Sequence, residues 1–308
     1  MYVQIHRIIL NAAYKINMVF VHSFQPEPML QSKFRSLDKG LKITLVDHAY
    51  SVECIHKFGH TIELYTTSLG AELLKPIPYD KVHIVTNDIT NNWHFAASIK
   101  FKALQNMSLD HYLIDGDIFL EKTPVFEILK HLDKDVVVSL YEPTARIFKP
   151  ETISEMFKAC EDFIQPGYEL PEATNVLGWY NTSLLKFNNA EAKEEYIKQY
   201  ITHVKLAESI DFSKTIWPDI VFEQCNLESM VKNMGYEIDM VNPYYNIDDA
   251  FAYKIGFCHL GVAKESSQTY YLRMLQTLNF QLSLDIQEHF IYLMEVLFPK
   301  ININTTNN

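Results

Sequence analysis

The chain has 308 residues, a length that holds one large α/β domain or two small ones. Apolar residues make up 48% and charged residues 21%, which excludes collagen-like, coiled-coil and disordered classes. A formal charge of −11 with no dense Lys/Arg run excludes the basic face of a nucleic-acid binder.

The N-terminal stretch MYVQIHRIILNAAYKIN is interrupted by Asn11, Lys15 and Asn17, and no small-residue cleavage site follows. Residues 1–17 are therefore expected to be an extension, with the fold starting at Met18. No transmembrane span is expected. The four cysteines, Cys54, Cys160, Cys225 and Cys258, form no CxxC pair, which points to reduced thiols. A cytoplasmic protein is expected, with peripheral attachment to a membrane left open.

In chain order, residues 18–23 read as a buried strand. Residues 48–58 read as a helix, capped by Asp47 and ended by Gly59. A strand follows at 61–65, a short helix at 69–75 stopped by Pro76, and a strand at 82–85. Asn91 or Asn92 is expected to cap a helix over 93–105, with Trp93 in its core face and Lys100 beside it. A core strand at 112–114 breaks out at Asp115-Gly116-Asp117. Beyond it come a helix at 125–132, a strand at 136–140, a helix near 151–164, a strand SLLKF at 183–187 and a charged helix at 190–207. Pro218 suits the first position of a helix ending near Gly235. Strands are expected at 236–241 and 255–260, a solvated turn at Asp248-Asp249, and helices at 268–279 and 284–297. Strands alternating with helices imply a largely parallel sheet.

The chemistry concentrates in HYLIDGDIFLEKTP. Ligands of open α/β sheets bind outside the carboxyl ends of strands, and here one such strand delivers two carboxylates. Paired carboxylates suit Mg²⁺ or Mn²⁺, and Gly116 permits a close approach or an unusual backbone angle. In GFCHLGVAKE, His259 can complete a carboxylate metal site and Lys264 can meet a phosphate.

This pattern resembles nucleotide-sugar glycosyltransferases of the GT-A fold. It is most similar to the retaining family that includes glycogenin and bacterial lipopolysaccharide galactosyltransferases, and LYTTSLGAELLKPIPYDKV looks closer still to a group of bacterial glycosyltransferase-like proteins. The resemblance implies a GT-A (Rossmann-like) mixed, mostly parallel sheet flanked by helices over 18–264, with C-terminal helices at 265–308 on the same domain. It implies a nucleotide-sugar donor, UDP-hexose by default, a saccharide or other hydroxyl acceptor, and Mn²⁺ or Mg²⁺. Carried onto this chain, Asp115, Asp117 and His259 hold the metal. Lys100, Asp115, Asn175 (in Asn175-Val176-Leu177-Gly178) and Lys264 bind the donor. His22 and Ser23 meet the nucleotide base, and Glu223 and Gln224 are the catalytic pair. Departures are a glycine two rather than three residues after His259, and Glu265-Ser266 in place of Pro-Trp. Consecutive helical residues point about 100° apart, so only one of Glu223 and Gln224 can face the sugar. Gln224 fits retention and Glu223 inversion. Two other readings stay open: a sugar-nucleotide binder without turnover, and a phosphohydrolase of the haloacid dehalogenase type.

Overall fold

Strands rich in Val, Ile, Leu and Phe on both faces must be covered on both faces, and helices do the covering here. The computed structural model describes residues 17–26, 37–90, 92, 94–143, 155, 156, 158, 160, 178–208, 218–243, 249–259, 274 and 276–297. The seven-stranded sheet comprises β1 (Val19–Phe24), β2 (Thr61–Thr66), β3 (Lys81–Ile84), β4 (Tyr112–Ile114), β6 (Val136–Pro143), β7 (Gly178–Phe187) and β8 (Ile238–Asn242). Its order is β3-β2-β1-β4-β7-β6-β8. All neighbours are parallel except those of β7, which runs antiparallel between β4 and β6. A two-stranded antiparallel sheet pairs β5 (Ile118–Leu120) with β9 (Phe257–His259), with Ile118 opposite His259. This is the α/β, mixed and mostly parallel sheet flanked by helices expected from the sequence.

Strand alternation sends Phe20 and Val21 of β1 into different cores. The first core packs under α1 (Leu37–Lys57) and α4 (Thr123–Leu129). The second packs under α3 (Ser98–Asn106), α5 (Ala190–Ala207) and α6 (Asn226–Met234). Each large apolar side chain buried there contributes roughly 1.5–3 kcal/mol. The short helix α2 (Ser68–Leu73) is capped by the Thr67 hydroxyl, and α7 (Asp249–Ile255) leads into β9. The C-terminal helix α8 (Phe280–Tyr292) packs on α1, where Asn279 N donates to Glu53 Oε1 at 2.8 Å.

Several boundaries differ from expectation. The first helix begins by Leu37, so Asp47 is an interior, buried residue and not a cap. Leu41 and Leu45 extend the buried stripe of Ala49, Val52 and Ile55 one helical turn at a time, and that burial overrides the weak propensity of Gly40 and Thr44. The helix expected from 93 starts at Ser98, and 94–97 form turns instead. Pro218 does open a helix, but Ile220–Cys225 wind as a π-helix before α6. Helix α6 then ends on Gly235 at φ 72°, as expected of a C-cap glycine. The expected helix near 151–164 lies outside the described residues except for Glu155, Met156, Lys158 and Cys160, which are helical. Residues 1–16, Asn91 and Trp93 also lie outside them.

Candidate active site

Parallel strands β1, β4, β6 and β8 end on one edge of the sheet, and the chain leaves β4 there as Asp115-Gly116-Asp117. The motif is a β-turn: Ile118 N donates to Asp115 O at 3.0 Å, and Asp115 N donates to Ser183 O of β7 at 2.8 Å. Gly116 is needed because of His48, from α1. A Cβ at 116 would lie 2.5 Å from His48 Nε2 and 2.7 Å from two ring carbons. Its φ is not positive, so the close approach is by the protein's own imidazole and no unusual backbone angle is involved.

His48 is itself held from behind. Its Nδ1 lies 2.6 Å from the Tyr79 hydroxyl and 3.2 Å from His22 Nδ1. His22 Nε2 lies 3.1 Å from Ser51 Oγ, and Ser51 donates to Ile118 O at 2.7 Å. His22, expected at the nucleotide base, is thus a fully buried post beneath the turn. Burial, then the neighbouring His48, hold its pKa well below the usual imidazole value, against the pull of Asp117. Ser23, the next residue, is half-buried on β1.

On the other side of the turn, Lys100 from α3 reaches three acceptors. Its Nζ lies 3.0 Å from Asp115 Oδ1, 2.7 Å from Glu223 Oε1 and 3.3 Å from the Thr182 carbonyl. An ammonium has three protons, so all three are engaged within the protein. Burial alone would lower the Lys100 pKa, but the two carboxylates outweigh it and hold it raised. Asp115 is shifted upward: burial first, then Asp117 and Glu223, disfavour its charge, and Lys100 only partly compensates. Glu223 Oε1 also accepts from the Thr182 hydroxyl at 2.5 Å.

A bulge makes that last bond possible. Between Val138↔Leu185 and Leu140↔Asn181, β7 advances four residues while β6 advances two. The extra residues aim the Thr182 side chain at Glu223, and bulges commonly re-aim side chains beside active sites. Asn181 starts this segment. It accepts from Ser139 Oγ at 2.8 Å and donates to Glu142 Oε2 at 2.9 Å. Gln224 follows Glu223 on the π-helix. Its Oε1 is buried and has no hydrogen-bond partner among the described residues.

Asp117 and His259 meet across the small sheet, with His259 Nε2 3.7 Å from Asp117 Oδ2. Two atoms on one octahedral ion with bonds of about 2.1 Å lie about 3 Å apart when adjacent and about 4.2 Å apart when opposite. The observed spacing falls within that range, and oxygen with imidazole nitrogen is a donor set that Mn²⁺ accepts. Among the described residues no three His, Cys, Asp or Glu side chains already form a cage, and Lys100 sits on Asp115 Oδ1.

The structure thus brings Lys100, Asp115, Asp117, Glu223 and His259 to one edge, with Gln224 beside Glu223. Asn175 and Lys264 lie outside the described residues. Sequence reading missed Thr182, His48, Tyr79 and Asn181. Only Asn181, directly before TSLLKF, carried a local signal, a polar residue before an apolar run.

Fold and site together define an α/β protein with an acidic, lysine-bridged cluster at the carboxyl edge of its sheet. The chain belongs to the DUF6734 family, described as a family of unknown function, which matches residues 18–296. No curated protein matches it. Among solved structures it is similar to the glycosyltransferase GlyE of Streptococcus pneumoniae TIGR4, at 12% identity and a TM-score of 0.44, over 88% of this chain. The chain covers 63% of that enzyme's length. It is also similar to the galactosyltransferase LgtC in complex with donor and acceptor sugar analogues. There the identity is 11% and the TM-score 0.43, over 85% of this chain and 96% of that one. No described helix is long and apolar enough to cross a membrane.

Proposed function

We propose that this chain is a metal-dependent glycosyltransferase that moves a hexose from a nucleoside diphosphate sugar, UDP-hexose by default, to a hydroxyl of a glycan or similar acceptor, with retention. The observation that carries the reading is the charge at the carboxyl edge. Among the described residues the Lys100 ammonium pairs with two carboxyls, Asp115 and Glu223, and a third, Asp117, acts on Asp115 from beside them. A diphosphate could approach such a cluster only with a cation, so the acids argue for Mn²⁺ or Mg²⁺ on Asp115, Asp117 and His259. The ion would supply Lewis-acid stabilisation of the departing nucleoside diphosphate. Asp115 would turn part of its carboxylate away from Lys100 to join it.

The chain's own groups divide the remaining work. Glu223 Oε1 already accepts from Lys100 and Thr182, so this oxygen is engaged within the protein and suits a supporting role. Gln224 Oε1, a buried acceptor with no partner among the described residues, suits the positive charge that develops at the anomeric carbon. With no carboxylate base assigned, the acceptor's proton passes to the diphosphate oxygen as the anomeric carbon–oxygen bond to phosphate breaks and the new glycosidic bond forms on the same face. Ser23, Asn175 and Lys264 are assigned to the donor on the sequence resemblance, and His22 supports the turn from below. Residues 18–264 are read as the catalytic unit and the C-terminal helices as its buttress.

The test is hydrolysis of UDP-glucose and UDP-galactose in Mn²⁺, in Mg²⁺ and in chelator, with the product anomer read by proton NMR. Metal-dependent turnover with a retained anomer is expected. Turnover that ignores chelator would refute the metal. An inverted product with an inactive Glu223→Gln enzyme would move catalysis from Gln224 to Glu223. Tight binding without turnover of any donor would leave a sugar-nucleotide binder.

A further inference from the structure

Lys100 and Glu223 lie 123 residues apart in sequence and meet at 2.7 Å, so something must fix the two helices that carry them. Helix α3 has no cap of its own. Ala97 stands at its N-cap position with no side-chain hydrogen bond to offer. Instead the Ala97 N–H donates to Asp219 Oδ2 at 2.9 Å, from 122 residues further along the chain. The other oxygen, Oδ1, accepts from the Tyr200 hydroxyl at 3.0 Å. The Tyr200 ring in turn stacks flat on Phe101 of α3, with centroids 3.6 Å apart and planes at 5°. One carboxyl therefore grips the start of α3 directly, and its first turn again through Tyr200.

Asp219 is also the residue on which the π-helix Ile220–Cys225 begins. Lys100 lies three residues after Ala97, and Glu223 lies four after Asp219. The tether thus sits about one turn from the pair on both elements. A carboxylate at a helix N-terminus is favoured by the exposed N–H groups and the dipole, so the contact is self-reinforcing.

We propose that Asp219 is a positioning residue: it pins α3 to the π-helix so that Lys100 stays within reach of Asp115 and Glu223 together. This rests on the glycosyltransferase reading only for its effect on catalysis. Burial raises the Asp219 pKa to about 7, against the pull of the Ala97 N–H. Among the described residues Lys100, Glu223, Tyr200 and Tyr196 are the charged and titratable groups coupled to it, and it raises the Cys160 thiol in turn. Ionised or protonated, the side chain keeps an oxygen for Ala97, so an amide should replace it.

The experiment labels lysines with an amine-reactive reagent and follows Lys100 by peptide mass spectrometry, with exposed Lys75 as internal control. In Asp219→Ala, which removes both hydrogen bonds, Lys100 labelling should rise at least about tenfold. Asp219→Asn should stay within about threefold of the parent, and Tyr200→Phe, which removes one of the two bonds and keeps the ring stack, should rise about fivefold. In donor hydrolysis, Asp219→Ala should lose about 10²-fold in kcat with little change in KM, the cost of misplaced groups. Parent-like labelling of Lys100 in folded Asp219→Ala overturns the proposal, and so does an Asp219→Asn as loose as the alanine variant. If Asp219→Ala does not fold, unchanged labelling in Tyr200→Phe overturns it. A parent protein that turns over no sugar nucleotide sinks the glycosyltransferase reading alone, because the labelling still decides the role of Asp219.

Discussion

The two sides of the Asp115-Gly116-Asp117 turn are built differently. On the Lys100 side every proton of the ammonium has a partner, Glu223 is clamped by two donors, and the elements are buried in one core. On the His259 side two ligand-type atoms face each other at 3.7 Å across a pair of three-residue strands, too far for a hydrogen bond. One side is assembled before anything binds. The other has the spacing of groups that a cation would draw together. The lesson is that a site can separate the groups that fix its shape from the groups that hold its ligand, and that the two should fail in different ways.

The largest effect is expected on the assembled side. Lys100→Met removes the one cation among the described residues that bridges Asp115 and Glu223, leaving buried carboxylates uncompensated. Breaking a buried pair from one partner typically costs about 3–5 kcal/mol. Urea unfolding should show a loss of that size, together with loss of activity. A variant of parental stability would mean that the ion pairs are not structural, and the contrast between the two sides would collapse.

A smaller and different loss is expected across the turn. Asp117→Ala and His259→Ala should shift the urea midpoint less than Lys100→Met does, because the Asp117–His259 contact, at 3.7 Å, is longer than either Lys100 ion pair. Calorimetry of UDP in Mn²⁺ should show affinity falling by at least about 10–100-fold in each, the range known for disturbed metal shells, and lost in Asp117→Ala. Equal UDP affinity in the parent and in Asp117→Ala would remove the metal from this side.

Much of this was legible in the sequence where the signal is local. Strand β4 followed by two acids, helix 190–207 and the Gly235 stop are patterns within a dozen residues, and they stand where expected. Lys100 and Glu223 could be named as candidates, but not as partners, because their meeting depends on the packing of α3 against the π-helix. The bulge at Thr182 arises from a register shift between β6 and β7, which no single-strand pattern encodes. Asp47 looked like a cap because helix propensity falls just before it. The burial of Leu41 and Leu45, visible only once the sheet is in place, carries the helix through. His22 sits where a strand-end residue could meet a nucleotide, yet its ring is spent on Ser51 and Tyr79.

The smallest effect on UDP binding should come from the hinge of the comparison, Gly116. Its importance was visible in the motif, but its reason was not, since the reason is His48 on a helix far away in sequence. In Gly116→Ala the new methyl meets the imidazole at 2.5–2.7 Å, so either the ring or the turn must move. The ring is held by Tyr79 and cannot swing out cheaply, and overpacking of this kind typically costs about 1–3 kcal/mol. If the turn yields instead, Asp115 and Asp117 shift together, and both stability and metal-dependent UDP binding should fall modestly. The His48→Ala background separates these outcomes. Removing the ring vacates the space that the methyl needs, so Gly116→Ala should cost less there than in the parent. A coupling of roughly 0.5–3 kcal/mol in the double-mutant cycle is expected for residues in contact. Strictly additive losses would show that His48 does not shape the turn. The glycine would then have to be explained by what approaches it from the solvent side.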